Sequence, residues 1–136
     1  MTISGTTSAT NAGTYEAIFT PTSGCFWSDT GTNEPRTIFW TINKATVTVP
    51  TVKSSLTYNG SAQSPTWNNY DSNKLTIGGT TSSTNAGTYT TTFTPEDNYQ
   101  WSDNNGNETR EVSWIINKAT VSTPTVSGTL TYNGSA

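Results

Sequence analysis

Apolar and polar residues alternate along several short stretches of the chain, and this pattern is the main guide to its secondary structure. Tyr, Thr and Phe occupy alternate positions of residues 88–94, and Val, Trp and Ile occupy alternate positions near the end of residues 109–116. A period of two places alternate side chains on one face of a β-strand. Similar stretches bounded by turn residues predict further strands over residues 45–49, 56–58, 61–67, 74–79 and 99–102.

Turn-forming residues separate these stretches. Asn59-Gly60 is the signal of a two-residue hairpin, because both residues tolerate positive φ, and it predicts that residues 56–58 pair with residues 61–67. Pro95 to Asn98 predicts another turn, and the polar residues 103–107 predict a loop. About seven short strands, with turns about every 8 to 12 residues, are typical of a β-sandwich.

The whole pattern occurs almost twice along the chain. Residues 1–62 align with residues 75–136 at a constant offset of 74, and about 38 of the 62 aligned positions are identical. Many of the matches are aromatic residues, Gly, Pro and Asn, which determine cores and turns. Residues 56–62 recur letter for letter as residues 130–136. A repeat of this length predicts a structural unit that is used more than once.

The composition favours strands and is sufficient for a small core in each repeat. The chain is 30% hydrophobic, 11% aromatic and 11% charged, and Thr is abundant. Because β-branched and aromatic residues suit a pleated surface and helix formers are sparse, we predict an all-β chain. The expected core consists of apolar side chains that both repeats share, namely Phe19, Phe93, Trp40, Trp114, Ile42 and Ile116.

A short motif in each repeat resembles a stretch of immunoglobulin domains. Residues 11–17 read Asn-Ala-Gly-Thr-Tyr-Glu-Ala, and residues 85–91 read Asn-Ala-Gly-Thr-Tyr-Thr-Thr. Both are similar to the Asp-x-Gly-x-Tyr-x-Cys stretch, in which the Tyr hydroxyl closes a corner onto upstream backbone. The resemblance implies that Tyr15 and Tyr89 are corner tyrosines. The Cys of that stretch is replaced, so packing has to substitute for the cross-link.

Three motifs in the same order resemble the bacterial immunoglobulin-like repeats of the MBG and YDG type. They are the Tyr-Asn-Gly turn at residues 58–60, the Asn-Ala-Gly-Thr-Tyr stretch at residues 85–89 and the Ile-Asn-Lys-Ala end at residues 116–119. The resemblance implies tandem immunoglobulin-like β-sandwiches with a structural or adhesion role. It implies an extracellular place, in a bacterial surface protein such as an adhesin or in a phage particle, and it implies no reaction.

The Asn-Lys-Ala junction gives the phase of the repeat. If a unit begins at Lys44, residues 44–117 form a complete repeat, residues 1–43 the second part of one and residues 118–136 the first part. Because the junction has no flexible Gly/Ser linker, neighbouring repeats are expected to form a stiff spacer. Either a longer array completes the end fragments, or residues 118–136 complete residues 1–43 of an identical chain by strand complementation, which would build a filament.

Charge and residue types exclude several classes of function. The net charge is -3 and the six Lys and Arg do not cluster, so we expect no nucleic-acid partner, and no apolar run is long enough for membrane insertion. Cys25 is the only cysteine and is expected to be a small apolar residue of the sandwich. With no His, no phosphate-binding loop and no base beside the Cys, we expect no enzymatic activity.

Two groups of residues are candidates for ligand binding. Asp103, Asn105 and Asn107 space oxygen atoms as calcium loops do, although a polar hairpin loop has the same composition. Trp67 and Tyr70 fall near strand ends, where aromatic faces are able to stack on sugar rings, although core packing explains them equally. A module that binds surface glycans or a host receptor is therefore the alternative to a spacer.

Overall fold

The computed structural model describes residues 1–135, whose secondary structure consists of strands without any helix. The prediction of an all-β chain is therefore confirmed. None of the described residues forms a helix able to cross a membrane. Ala136, the last residue of the predicted 118–136 fragment, lies outside the described part of the chain. The strands are β1 (Thr2–Gly5), β2 (Gly13–Thr20), β3 (Arg36–Ile42), β4 (Ala45–Val47), β5 (Thr51–Val52), β6 (Leu56–Thr57), β7 (Trp67–Asn68), β8 (Leu75–Gly79), β9 (Gly87–Pro95), β10 (Tyr99–Trp101) and β11 (Arg110–Asn117).

These strands belong to two parts of the chain. The N-terminal segment, residues 1–43, forms an antiparallel sheet in the order β1-β2-β3. The central segment, residues 44–117, contains a four-stranded sheet in the order β6-β11-β9-β8 and the two-stranded sheets β10-β4 and β5-β7. The C-terminal segment, residues 118–135, contains no strand.

Strand register is the same in the N-terminal and central segments. Ile3 lies opposite Phe19 in the first sheet, and Ile77 lies opposite Phe93 in the four-stranded sheet. All four β1–β2 pairs recur 74 residues later between β8 and β9, and all seven β2–β3 pairs recur between β9 and β11. The two segments therefore use equivalent residues to make the same three-stranded antiparallel arrangement.

The first strand of each three-stranded arrangement ends in a glycine, and the backbone conformation explains why both positions are glycine. Gly79 has a φ of 70°, and a Cβ placed on it would lie 2.8 Å from the carbonyl oxygen of Thr90. Gly5 has a φ of 79°, and its Cβ would lie 2.8 Å from the carbonyl oxygen of Glu16. Because only glycine combines a left-handed backbone with so close an approach, both copies keep it.

The core of the central segment is built from strand residues on inward faces. Val47, Leu75, Phe93 and Trp101 form a buried cluster. Trp114 and Ile116, on alternate positions of β11, are also buried, as the period of two requires. Their counterparts in the N-terminal segment, which were predicted to be equally buried, are only half-buried; they are Phe19, Trp40 and Ile42.

The predicted hairpin at Asn59-Gly60 is wrong. β6 pairs in parallel with the last strand, so that Leu56 lies opposite Ile116, and not with residues 61–67. The turn itself forms, since Gly60 has a φ of 83° and the Asn59 side-chain oxygen accepts a hydrogen bond from the Ser61 N–H at 2.9 Å. Leu56 instead lies at the edge of the four-stranded sheet beside the buried Ile116, a contact that a local hairpin would not provide.

Candidate assembly site

Each predicted corner tyrosine closes onto the backbone four residues upstream. The Tyr15 hydroxyl donates to the carbonyl oxygen of Asn11 at 2.6 Å, and the Tyr89 hydroxyl donates to that of Asn85 at 2.7 Å. Each ring also packs on the Trp opposite it on the neighbouring strand, with ring centroids 4.9 and 4.8 Å apart. The hydrogen bond and the ring contact together stabilise the Asn-Ala-Gly loop at the end of each sheet.

The corner loop of the N-terminal segment binds the central segment through Asn98. The Asn98 side chain accepts a hydrogen bond from the Ala12 N–H at 2.7 Å and donates one to the Asn11 side-chain oxygen at 3.0 Å. The carbonyl oxygen of Asn98 accepts a third bond from the Ala45 N–H at 2.9 Å. Sequence reasoning missed this contact. The sequence carries one signal for this contact, because the residue that aligns with Asn98 is Gly24. The turn does not require an Asn, so we infer that the Asn at position 98 has another role.

A Trp, an Arg and an acidic residue meet at the loop after β10, and the sequence-based interpretation also missed this cluster. The Arg110 guanidinium lies 5.0 Å from the centre of the Trp101 ring and 2.6 Å from the Asp103 carboxylate. Hydrogen bonding to Arg110 lowers the pKa of Asp103, and hydrogen bonding to Asn104 lowers that of Glu108. The signal is the spacing, since the other repeat has the same cluster in Trp27, Asp29 and Arg36.

Two of the three proposed calcium ligands are occupied by protein donors. A carboxylate oxygen of Asp103 binds Arg110, and the side-chain oxygen of Asn105 accepts a hydrogen bond from Gln100 at 3.1 Å. Asn107 is exposed in the same loop. Within residues 1–135, no group of three or more His, Cys, Asp or Glu side chains is placed to hold a metal ion. The geometry fits a hairpin loop stabilised by Arg110, and calcium binding stays a prediction.

The two aromatic ligand candidates pack against the core. The Trp67 ring meets Phe93 edge-on at 5.0 Å between centroids, and the Tyr70 ring is tilted against it at 5.5 Å. Tyr70 also lines a shallow depression of about 300 Å³, next to the ion pair of Lys74 and Asp71 at 3.2 Å. Trp67 does not line this depression, so the two rings do not form one platform for a sugar.

The N-terminal segment exposes the face that is buried in the central segment. Met1 is 65% exposed, whereas the aligned Leu75 is 1% exposed, and Ile38 is 54% exposed. A shallow apolar cavity of about 310 Å³ lies on this face. Arg36 lines the cavity together with apolar side chains. We call the surface the open face and define it by the apolar residues that line the cavity or lie beside it on β1: Met1, Ile3, Phe19, Trp27 and Ile38.

The open face lacks the strands that cover its counterpart. In the central segment, β10 exists as a strand because it pairs with β4, which brings Val47 against the core. Residues 25–27 align with β10 but form no strand. The residues that align with β4, β5 and β6 lie in the C-terminal segment, where the apolar side chains are almost fully exposed; these are Val121, Val126 and Leu130.

Cys25 is exposed, and the prediction that it lies in the core is wrong. Its aligned residue, Tyr99, packs against the core of the central segment because β10 is held there by β4. Without such a strand beside residues 25–27, the Cys25 thiol stays at the surface.

Known proteins provide no further guide to the site. The chain matches no protein-family profile, no curated protein and no solved structure.

Proposed function

We propose that this chain is a non-enzymatic structural module, built from tandem immunoglobulin-like β-sandwich repeats with a 74-residue period. The observation that carries the proposal is the identical strand register of the N-terminal and central segments. The two tyrosine corners, which bind equivalent carbonyl oxygens, support the immunoglobulin-like assignment. In this proposal residues 44–117 are one complete repeat, and the two terminal segments are parts of others.

The module acts as a stiff spacer in a bacterial surface protein, an extracellular fibre or a phage particle. Stiffness follows from the junction, where Asn98 makes two side-chain hydrogen bonds to the preceding segment. Each such bond contributes about 0.5–1.5 kcal/mol. Because the junction contains no Gly/Ser linker, these bonds act on a short connection and fix the angle between the two segments.

Glycan or receptor binding is the second candidate and has weaker support. A sugar-binding platform needs aromatic faces that are open to solvent, with polar groups beside them. Trp67 and Tyr70 instead direct their rings against Phe93. Their packing favours a role in the core of the repeat.

A spin-label distance measurement tests the spacer. The native Cys25 is exposed and provides one label in the N-terminal segment, and Ser72→Cys provides the other in an exposed turn of the central segment. We expect a single narrow distance distribution for this pair. Asn98→Gly, which installs the residue present at position 24, is expected to broaden it, whereas the control Asn107→Gly in an exposed loop leaves it narrow.

The proposal fails if the distribution is already broad without the Asn98 substitution, since freely jointed segments do not make a stiff spacer. Measurement at low micromolar concentration keeps distances within one chain separate from distances between chains.

A further inference from the structure

We propose that the C-terminal segment of one chain docks on the open face of a second copy and completes it. This inference rests on the proposed repeat architecture and names the partner of its incomplete part. The surface in question is apolar and uncovered in the described residues, with Ile3 and Ile38 each more than half exposed. A second copy is a partner of known chemistry. Its C-terminal segment carries residues that align with those covering the same face in the central segment.

Apolar side chains identify the occupant. In the central segment Val47 lies in the core cluster and Leu56 is half-buried beside Ile116. The aligned residues of the C-terminal segment are Val121, which is 93% exposed, and Leu130, which is 99% exposed. Exposed apolar side chains at the positions of buried ones gain the most from docking, because burying each removes its area from water.

The central segment also supplies the register of the docked strands. There, Ala45 lies opposite Tyr99 and Leu56 lies opposite Ile116, both in parallel strands. At the offset of 74, Ala119 of one chain lies opposite residue 25 of the second copy. By the same rule, residue 130 lies opposite residue 42. The docked strands add to the sheet of the second copy through backbone hydrogen bonds, as in β-strand addition.

The position of the chain exit excludes docking of the C-terminal segment on the open face of the same molecule. Asn98 meets the N-terminal segment at one end of β9, whereas Gly87, at the other end of that strand, pairs with Ile116 next to the chain exit. The nine residues of β9 span about 30 Å, and the eight residues of β2, which packs on no strand of the central segment, separate Cys25 from the Asn98 contact. Ala119 is two residues after the end of β11 and reaches only about 7 Å, so it reaches residue 25 only in another copy.

Docking of this kind joins a different surface on each partner. Such a heterologous contact extends head to tail into a filament, or closes as a ring where the rotation between successive chains allows it. Trp67 and Tyr70, which cover Phe93 in the central segment, have no counterpart in either terminal segment. The completed repeat between chains is therefore less covered than the central one, and we expect it to melt first on heating.

Cross-linking through the native cysteine tests the register. In Ala119→Cys the new thiol faces Cys25 of the second copy across parallel strands, at a separation that suits a disulfide. A mild oxidant such as oxidised glutathione should convert this variant into a ladder of multiples of 14.6 kDa on a non-reducing gel. Thr120→Cys, whose side chain faces the other side of the strand, should form the ladder at least tenfold more slowly.

Two further variants make the test specific. Ala119→Cys combined with Cys25→Ser should give nothing larger than a dimer, because each chain then has one thiol. Within one chain, the side-chain amide of Asn98 binds the corner loop. Gly24→Asn places an equivalent amide at the contact between chains. Two added hydrogen bonds should tighten association about tenfold. Asn98→Gly, which changes only the junction within a chain, should leave association unchanged.

Sedimentation of the wild-type chain provides the independent measurement. As the concentration rises from about 1 μM, where we expect single chains, to about 1 mM, we expect growing amounts of species heavier than 14.6 kDa, and an excess of a synthetic peptide of residues 118–135 should disperse them. A single 14.6 kDa species throughout, or equal ladders from the two cysteine variants, would overturn the proposal. Neither result affects the spin-label distance within one chain, so failure here is distinguishable from failure of the spacer.

Discussion

Replacing the two aligned phenylalanines, one in the central and one in the N-terminal segment, should have very different effects on stability. Phe93 has no exposed surface and contacts the rings of Trp67 and Tyr70. The aligned Phe19 is half-buried on the open face, and no aromatic ring of residues 1–135 stacks on it. Phe93→Ala and Phe19→Ala therefore compare the loss of the same side chain from a fully buried and from a half-buried position.

The expected magnitudes follow from burial. Truncating a fully buried Phe to Ala costs about 3–5 kcal/mol, which combines lost transfer free energy with the cavity that remains. A half-buried Phe, whose removal leaves no enclosed cavity, costs about 1 kcal/mol. Because about 1.4 kcal/mol corresponds to tenfold in an equilibrium constant, Phe93→Ala should raise the opening constant of β9 by about two to almost four orders of magnitude. Phe19→Ala should raise that of β2 less than tenfold.

Hydrogen exchange followed by mass spectrometry reads the two strands separately in one chain. The experiment is done at low micromolar concentration, where chains are separate, with Phe93→Leu and Phe19→Leu as controls of similar volume. Equal loss of protection in β9 and β2 for the two alanine variants would contradict the expected difference in opening constants, since it would mean that Phe19 is as buried as Phe93.

Three further predictions concern the loops and corners. Because bonding to Arg110 lowers the pKa of Asp103, its stabilisation is present above the ordinary aspartate pKa of about 4 and is lost as pH falls below it. Calorimetry should therefore show Tm falling below about pH 4, and less steeply in Asp103→Asn. Tyr89→Phe removes one hydrogen bond and should lower the free energy of unfolding of the central segment by about 1 kcal/mol in urea titration, whereas Tyr15→Phe should leave that segment unchanged. Added calcium should not shift the Tm, because Arg110 already holds the only carboxylate of residues 103–107; a rise of several degrees would show a site there.

Local patterns predicted the long strands well. β9 and β11 begin and end within a residue of the stretches predicted from alternation, because their buried and exposed side chains follow the period of two without interruption. The corner motif also led to Tyr15 and Tyr89, since its hydrogen bond joins residues only four positions apart. Features that depend on neighbours along the chain are therefore accessible from sequence.

Contacts between distant residues were not accessible in the same way. Asn59-Gly60 indicates a turn but does not specify the partner strand, and Leu56 pairs with Ile116, which lies 60 residues away. The Asn98 side chain binds Ala12 and Asn11, which lie 86 and 87 positions earlier in the chain. No periodic pattern indicates such a bond. The exposure of Cys25 and of the open face depends on which strands are present beside them, a property of the assembled chain and not of the local sequence.

Production of residues 44–117 alone tests whether this segment is one complete repeat. Its buried core consists entirely of its own residues, including Leu75, Phe93 and Trp101. Calorimetry should show one cooperative transition, with a Tm within a few degrees of the higher transition of the whole chain. A segment that is unfolded alone, or that melts without cooperativity, would contradict the claim.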